Sequence, residues 1–246
     1  MRNKLTVGSL FAGIGGFDLG FERVGCFEIA WQVEKDEFCQ KVLAKHWPSV
    51  KRWPDIKTFP PEPIEQWQCD IIIGGDPCQA NSRARGKCET KYESLGGEFI
   101  RVVDALRPCV VLRENPAGEL LDAPWPSRRF KHNLEALGYA AIRFRLRACC
   151  LGGNIQAERM FVLGLDPQAV GNLMERRICQ LQSPSVADLS ALVRNYVWPA
   201  IPRPRGYRSR RGIANYVDRI RAIGNALPPQ MSEFLARCIA YAFGVL

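Results

Sequence analysis

The sequence lacks any apolar run of the roughly 18 residues that crossing a bilayer requires. No cleavage site follows its N-terminus, MRNKLTVGSLFAG, which leads directly into strand-like sequence. A large regulatory extension is also absent. We therefore expect a cytoplasmic protein without a membrane contact, from a prokaryotic or viral source.

Patterns that bind structural metals are scarce as well. The chain has ten cysteines but no C-x-x-C pair, and its only histidines are His46 and His132. The adjacent Cys149 and Cys150 lie in a strand-like segment, where neighbouring side chains face opposite ways. We expect reduced thiols, most of them buried, and no metal site.

The composition is that of an ordinary globular protein with a basic surplus. Its 246 residues are 47% hydrophobic and 24% charged, with no internal repeat, which suits one principal domain. The net charge of +9 and the abundance of arginine favour nucleic acid as the partner. A solvated basic surface without a ligand remains the alternative.

Strand-like and helix-like segments alternate in the first two thirds of the chain, which predicts an α/β fold with a doubly wound parallel sheet. The predicted strands are 5–10, 27–33, 69–73, 109–112, 141–146 and 160–164, and the predicted helices lie within 15–25, 34–47, 95–107 and 127–138.

The domain organisation follows from a change of texture after residue 165. Residues 1–165 form the principal domain, whereas 166–212 lose strand periodicity, gain prolines and carry eight arginines against three acids. This second region reads as a small lobe or extended loop. Residues 213–246 return to the first domain and end in a helix with a Pro-Pro start, whose predicted packing positions are Phe234, Cys238, Tyr241 and Ala242.

Polar residues and glycines follow the predicted strands. FAGIGG follows the first strand, Glu34 the second, GGDPCQ the strand at 69–73 and RENP the strand at 109–112, while Asp55 precedes 69–73. Because ligands bind beyond the carboxyl ends of parallel strands, we expect one site there.

Gly13, Gly15 and Gly16, with Glu34 about twenty residues later, favour an adenosine-containing cofactor whose ribose hydroxyls the carboxylate would bind. A nicotinamide dinucleotide remains open, although the spacing is G-x-G-G rather than G-x-G-x-x-G. Glycines needed only for a tight turn are the bland alternative.

Cys78 and Glu114 are the candidate reacting groups. Pro77 rigidifies the turn before Cys78, and free backbone N–H groups after it would stabilise a thiolate. Glu114 ends an apolar strand, where an idle carboxylate is costly to desolvate. Unless it only pairs with Arg113 or another arginine, its carboxyl could protonate a ring nitrogen and make a pyrimidine electrophilic toward Cys78.

A series of segments resembles, in order, the motifs of the cytosine-5 DNA methyltransferases. It covers nearly the whole chain outside the arginine-rich region, and the segments are SLFAGIGGFDLG, WQVEKDEF, WPDIK, GGDPCQANS, SLGGEF, RENPAG, QAERMFVLG and RIRAIGNALPPQ. The resemblance implies a Rossmann-like methyltransferase fold with a small target-recognition lobe, S-adenosylmethionine as cofactor and double-stranded DNA as substrate.

The resemblance also implies roles for individual residues. Cys78 adds to carbon 6 of a flipped cytosine, Glu114 engages ring nitrogen 3 and the exocyclic amine, and Arg159 steadies the site. Gln79 and Asn115 bind the substrate. The implied cofactor pocket comprises Phe11, Gly13, Ile14, Gly15, Gly16, Glu34, Asp55, Ile56, Pro77, Leu95, Asn225 and Ala226.

Several positions depart from the family pattern. Asp76 stands where the family often has Phe or Pro, and Asn81 where an aromatic residue is usual. Ala157 replaces the first arginine of an R-x-R pair, so the contacts to the site fall to Arg159, with Arg113 as a possible second. The Glu-Asn-Val motif reads Glu-Asn-Pro, which favours an extended Asn115.

The recognition region, 166–212, is short for this family and predicts a short or relaxed target sequence, with help from a protein partner left open. Tyr207 or Trp198 could stack or act as a wedge. We expect a monomer. An RNA cytosine-5 methyltransferase and a catalytically silent DNA-binding homologue remain alternatives. The arginines expected to contact DNA, mainly at phosphates, are Arg203, Arg205, Arg208, Arg210 and Arg211.

Overall fold

A mixed seven-stranded sheet forms the centre of the protein in the computed structural model, which describes residues 4–77, 95–116, 127–151, 158–176 and 227–245. The strand order is β3-β2-β1-β4-β5-β7-β6. No helix in these ranges is long and apolar enough to cross a membrane. The strands are β1 (Leu5–Leu10), β2 (Phe27–Val33), β3 (Lys51–Trp53), β4 (Ile71–Gly74), β5 (Val110–Pro116), β6 (Ala140–Arg147) and β7 (Glu158–Leu165).

Helices cover both faces of this sheet, as the alternating pattern predicts. Numbered within the described residues, they are α1 (Gly16–Val24), α2 (Glu37–His46), α3 (Gly96–Leu106), α4 (Ser127–Ala136), α5 (Pro167–Arg176) and α6 (Pro229–Ala242). α1, α5 and α6 contribute to one apolar core, and α3 and α4 to the core on the other face. The doubly wound α/β architecture is therefore confirmed.

The central strands are apolar over most of their length because both of their faces are covered. In β4, Ile71 and Ile73 enter the core shared with α1 and α6, whereas Ile72 enters the core shared with α3 and α4. The edge strand β6 is different. Its apolar side chains alternate with exposed arginines, and these are Arg143, Arg145 and Arg147.

The direction of β7 corrects the expectation of a parallel sheet. β7 pairs antiparallel with both β5 and β6, while β1, β2, β3, β4 and β5 pair in parallel. Only residues 148–157 separate β6 from β7, fewer than the dozen or so that a parallel crossover needs. As a result, the first residues of β7 lie at the edge of the sheet where β4 and β5 end. We call this edge the site edge.

Two elements were not predicted. The strand β3 has three residues, two of them basic, and its composition carries little strand signal. Helix α5 follows β7 directly, and the side chain of Asp166 accepts hydrogen bonds from the N–H groups of Gln168 and Ala169 at its start. An acid followed by Pro167 is a helix-start signal that was present in the sequence. Val170 of α5 packs into the apolar core to which α1 and α6 also contribute.

The C-terminal helix α6 packs against α1, but its predicted contact set is wrong at one position. Phe234 and Cys238 are buried, whereas Tyr241 is 67% exposed. Tyr241 follows Glu233 and Arg237 at intervals of four residues, so it lies on the charged side of the helix.

The contact between α1 and α6 depends on a glycine. A Cβ atom at Gly20 would lie 1.8 Å from Ser232 Oγ and 2.5 Å from the Glu233 backbone nitrogen. The Ser232 hydroxyl also donates a hydrogen bond to the Gly16 carbonyl at 3.0 Å. The two helices therefore approach too closely for a side chain at this position.

We predict that Gly20→Ala lowers the free energy of unfolding by about 1–3 kcal/mol, because the added methyl forces the helices apart. The matched control is Gly171→Ala in α5, where a Cβ meets no atom within 4 Å. That variant should be neutral or more stable, by about 0.5–1 kcal/mol, because alanine favours helices. Urea unfolding of both variants checks the prediction, and equal effects would contradict it.

Candidate active site

The loop between β1 and α1 has a left-handed backbone that two glycines make possible. Gly13 has φ of 56° and Gly15 φ of 81°, and Gly15 precedes the first turn of α1. Phe11 also has a positive φ, of 53°, and its ring packs against Phe99 with centroids 6.3 Å apart. We call residues 11–15 the glycine loop. It lies at the site edge, where β1 ends.

Glu34, directly after β2, is tied to the glycine loop. Its Oε2 accepts a hydrogen bond from the Gly13 N–H at 2.7 Å, and its Oε1 accepts one from the Asp36 N–H at 2.7 Å. Burial raises the pKa of Glu34, and these two backbone hydrogen bonds partly offset the rise. Since a carboxylate has about four acceptor positions, each oxygen keeps one for a ligand.

The other predicted cofactor residues lie around this edge with varied exposure. Asp55 accepts a hydrogen bond from the Lys57 N–H, which lowers the pKa of Asp55, and it pairs with Lys35 at 3.4 Å. Ile56 is buried, while Leu95 stands at the start of α3. Ile14 and Gly16 are partly exposed and Pro77 is exposed.

Glu114 lies near the end of β5 and is 8% exposed. Its carboxyl passes directly over Gly75, because a Cβ atom at Gly75 would be 2.8 Å from Glu114 Oε2. The glycine before Asp76 therefore leaves the space that the carboxyl occupies.

Arg159, at the start of β7, lies against the same carboxyl. Its Nε is 2.9 Å from Glu114 Oε1, and Arg159 is paired with Pro116 in the sheet register. The contact is an ion pair rather than an aligned hydrogen bond, since Nε has no hydrogen-bond acceptor among the described residues. Glu114 and Arg159, both predicted site residues, are thus brought together.

The pKa of Glu114 is raised to about 7, and burial is the main cause. Arg159 opposes the rise, Asp76 adds to it and Arg113 again opposes it. Near neutral pH the carboxyl is therefore available both as a proton donor and as an acceptor.

Arg113, considered as a second contact to Glu114, turns instead toward Asp76. Arg113 Nε donates to Asp76 Oδ1 at 2.5 Å and Nη2 donates to Oδ2 at 2.8 Å. Asn115 Nδ2 also donates to Asp76 Oδ1, at 3.0 Å. All three side chains are buried, and we call Asp76, Arg113 and Asn115 the buried clamp.

Several predicted site residues lie outside the described residues, and their roles stay predictions. They include the candidate nucleophile, and the set is Cys78, Gln79, Arg203, Arg205, Arg208, Arg210, Arg211, Asn225 and Ala226. Asn81 and Ala157 lie outside them too.

Comparison with known proteins assigns the family. A family of C-5 cytosine-specific DNA methylases matches residues 5–216. The chain belongs to this family. It is 32% identical over 168 residues to the type II methyltransferase M.Bsp6I of Bacillus sp. (strain RFL6), covering 65% of this chain and 52% of that one.

Other relatives in the methylase family cover different lengths. The type II methyltransferase M.AquIA of Picosynechococcus sp. is 31% identical over 182 residues, covering 67% of this chain and 72% of that one. M.NgoFVII of Neisseria gonorrhoeae is 36% identical over 120 residues, covering 48% and 32%. The chain thus spans about a third of the length of M.NgoFVII and about half of the length of M.Bsp6I.

Solved structures agree on the fold. DNMT2 of Spodoptera frugiperda superposes with a TM-score of 0.55 at 19% identity, covering 66% of this chain and 50% of that one. A protein described as a DNA modification methyltransferase of an Escherichia coli prophage gives 0.52 at 24%, covering 67% and 47%. At these identities the likeness confirms the Rossmann-like methyltransferase fold.

A buried polar group beneath the glycine loop was missed by sequence reasoning. Asp18 of α1 is fully buried and accepts hydrogen bonds from Ser9 Oγ at 3.0 Å and Gln32 Nε2 at 2.9 Å. It links α1 to β1 and β2 just below the loop. In the sequence, an acid among Phe17, Leu19 and other apolar residues of α1 was the available sign that Asp18 is buried.

We predict that Asp18 makes the fold less stable as the pH rises. Burial raises the pKa of Asp18 from 3.8 to about 6, so between these values the folded state holds more protons than the unfolded chain. The free energy of unfolding therefore falls with rising pH by up to about 3 kcal/mol, and Asp18→Asn removes that dependence. Urea unfolding from pH 4 to 7 measures it. A wild-type-to-variant difference that is constant with pH would refute it.

Proposed function

We propose that the chain is a DNA cytosine-5 methyltransferase, which transfers a methyl group from S-adenosylmethionine to carbon 5 of a cytosine flipped out of duplex DNA. The observation that carries the proposal is the ion pair between the buried Glu114 and the partly buried Arg159 at the site edge, beside the segment that leads into Pro77 and Cys78. Membership of the C-5 cytosine-specific DNA methylase family supports it.

The residues at the ends of β1 and β2 fit S-adenosylmethionine. Space is open above Gly13, where a Cβ atom would meet nothing within 4 Å. Glu34 keeps acceptor capacity for two ribose hydroxyls after its two backbone hydrogen bonds. When bound, the cofactor supplies an electrophilic methyl group. We assign its pocket to Phe11, Gly13, Ile14, Gly15, Gly16, Glu34, Asp55, Ile56, Pro77, Leu95, Asn225 and Ala226.

Glu114 acts on the cytosine ring in this proposal. Its carboxyl, with a pKa of about 7, donates a proton to ring nitrogen 3, while its other oxygen accepts from the exocyclic amine. Arg159 holds one carboxyl oxygen and keeps the group oriented toward the base. Protonation at nitrogen 3 withdraws electrons from carbon 6.

Cys78 is the nucleophile. Its thiolate adds to carbon 6 and opens the double bond between carbon 5 and carbon 6. The electron pair of that bond is drawn through the ring toward the protonated nitrogen 3. Carbon 5 then becomes nucleophilic and takes the methyl group. Loss of the carbon 5 proton to a base expels the Cys78 thiolate, and return of the nitrogen 3 proton to Glu114 restores the neutral aromatic ring. Because carbon 6 of a stacked base is inaccessible, the cytosine must first be flipped out.

The remaining parts of the proposal concern binding and context. Gln79 and the arginines of 203–211 contact the DNA, which suits the net charge of +9. Asn115 acts on the substrate only indirectly, because its buried side chain donates to Asp76. As its relatives are named type II methyltransferases, we propose a role in restriction and modification. We propose that the protein acts in the cytoplasm of a prokaryotic cell and is encoded by that cell or by a virus that infects it. We propose that the chain acts as a monomer, with or without a partner for target recognition.

We predict that duplex DNA containing 5-fluorocytosine traps the protein covalently in the presence of S-adenosylmethionine. Fluorine cannot leave as a cation, so elimination stops with the thiol attached, and the adduct survives a denaturing gel. Cys78→Ala should abolish the adduct, whereas Cys26→Ala, at a partly buried cysteine before β2, should retain it. Glu114→Gln should slow adduct formation by about 10²–10⁴-fold.

Other outcomes separate the alternatives. An adduct with transfer RNA but not with duplex DNA would identify an RNA methyltransferase. Cofactor binding by calorimetry with no adduct on DNA of varied sequence would indicate a silent homologue and contradict the proposed function.

A further inference from the structure

The buried clamp is an unusual feature for this position in the family pattern, where Phe or Pro often stands in place of Asp76. Asp76 is 3% exposed and Arg113 is 1% exposed. Arg113 also lies over the ring of Phe130 in α4, with its guanidinium carbon 4.5 Å from the ring centre. An acidic residue in the segment after β4 is therefore matched by a buried arginine in β5.

The clamp brackets Glu114 on both sides along the chain. Arg113 and Asn115 precede and follow Glu114, and both donate hydrogen bonds to Asp76. Because successive side chains of a strand face opposite ways, the clamp occupies one face of β5 and Glu114 the other. On that other face Glu114 meets Gly75 and Arg159.

Fold stability does not account for these charges. Burying an ion pair costs desolvation energy that its attraction only partly returns, and an apolar pair of similar size is often equally stable or more so. A strand register is already fixed here by the pairing of Gly74 with Arg113. The clamp adds a second, directional link at Asp76, two residues beyond the paired part of β4.

We propose that Asp76, Arg113 and Asn115 are positioning residues that fix Glu114 relative to the segment leading into Pro77 and Cys78. By bonding both neighbours of Glu114, Asp76 ties the end of β5 to the chain two residues before the nucleophile. The clamp also places one positive and one negative charge near Glu114, so that their effects on its proton affinity oppose each other. This inference rests on the proposed function.

The charged groups that act electrostatically on Glu114 within the described residues come from three elements. They are Arg159 from β7, Arg113 from β5 and Asp76 after β4. Removing Asp76 leaves the Arg113 charge unbalanced, which lowers the pKa of Glu114. Removing Arg113 leaves the Asp76 charge unbalanced, which raises the pKa of Glu114. A supporting residue that carries no charge near Glu114 would produce neither shift.

The test compares Asp76→Asn, Arg113→Met and the double variant Asp76→Leu/Arg113→Met in single-turnover methyl transfer across pH. Because Glu114 acts in its protonated form, activity falls as the pH rises through its pKa. We expect this fall to move to lower pH in Asp76→Asn and to higher pH in Arg113→Met. In the double variant it should return close to the wild-type position.

The rate of methyl transfer should drop in all three variants, by about 10²-fold, because Glu114 loses its fixed position. Binding of S-adenosylmethionine should change by much less than the rate, since Glu34 and the glycine loop are untouched and only Pro77 of the assigned pocket adjoins the clamp. The matched control is Asp166→Asn, which lies beyond the opposite edge of the sheet. It breaks an ion pair in which Asp166 Oδ2 is 3.0 Å from Arg107 Nη2. It should leave the pH profile unchanged.

A readout that does not need activity separates this inference from the proposed function. In protein labelled with ¹³C at glutamate carboxyls, the Glu114 signal is identified by its absence in Glu114→Gln and titrated in each variant. Opposite shifts in the two single variants support the clamp even if the wild type traps no DNA. Should a single variant fail to fold, the double variant, which leaves no buried charge unpaired, still reports on position. Unshifted titrations with rates no lower than in Asp166→Asn would overturn the inference.

Discussion

Burying the Glu114 carboxyl removes the water that stabilises its charge, and that loss must be offset by a nearby cation or by keeping a proton. The protein does both, since Arg159 lies 2.9 Å away and the pKa of Glu114 is about 7. Arg159 reaches this point because β7 runs against β5, so that its first residues meet the last residues of β5. The reversed strand is thus the condition on which the chemistry of the site edge depends.

Most of the fold could be predicted because its signals are local. The strands that helices cover on both faces are mainly apolar, and β1 and β2 have the predicted bounds, Leu5–Leu10 and Phe27–Val33. The antiparallel course of β7 could not be derived from periodicity, which is the same for either direction. The short connection formed by residues 148–157 was the one signal for it, because a parallel crossover between β6 and β7 needs a longer segment.

The candidate site was predictable in part, for a similar reason. Glycines and acids at strand ends, such as Gly13 and Glu34, converge whenever parallel strands share an edge, and these two are hydrogen-bonded. The partner of Asp76 was not predictable, because 37 residues separate it from Arg113 and only the sheet register joins them. Arg113 was considered for Glu114 on sequence proximity, yet strand alternation turns its side chain to the opposite face.

The arginine row of β6 has a consequence for the sheet as a whole. β6 is the last strand in the order, so one side of its backbone is not paired with any described strand. Arg143, Arg145 and Arg147 are exposed at every second position. Within the part of the chain that the structure describes, Glu158 of β7 pairs with Arg145 and Arg147, and Arg143 donates a hydrogen bond to Ser127. A β6 strand from a second copy, added to this edge, would set one row of arginines against another. Like-charge repulsion therefore protects the open edge against growth of the sheet from chain to chain, the role that charged side chains serve on exposed edges of many β-sheets.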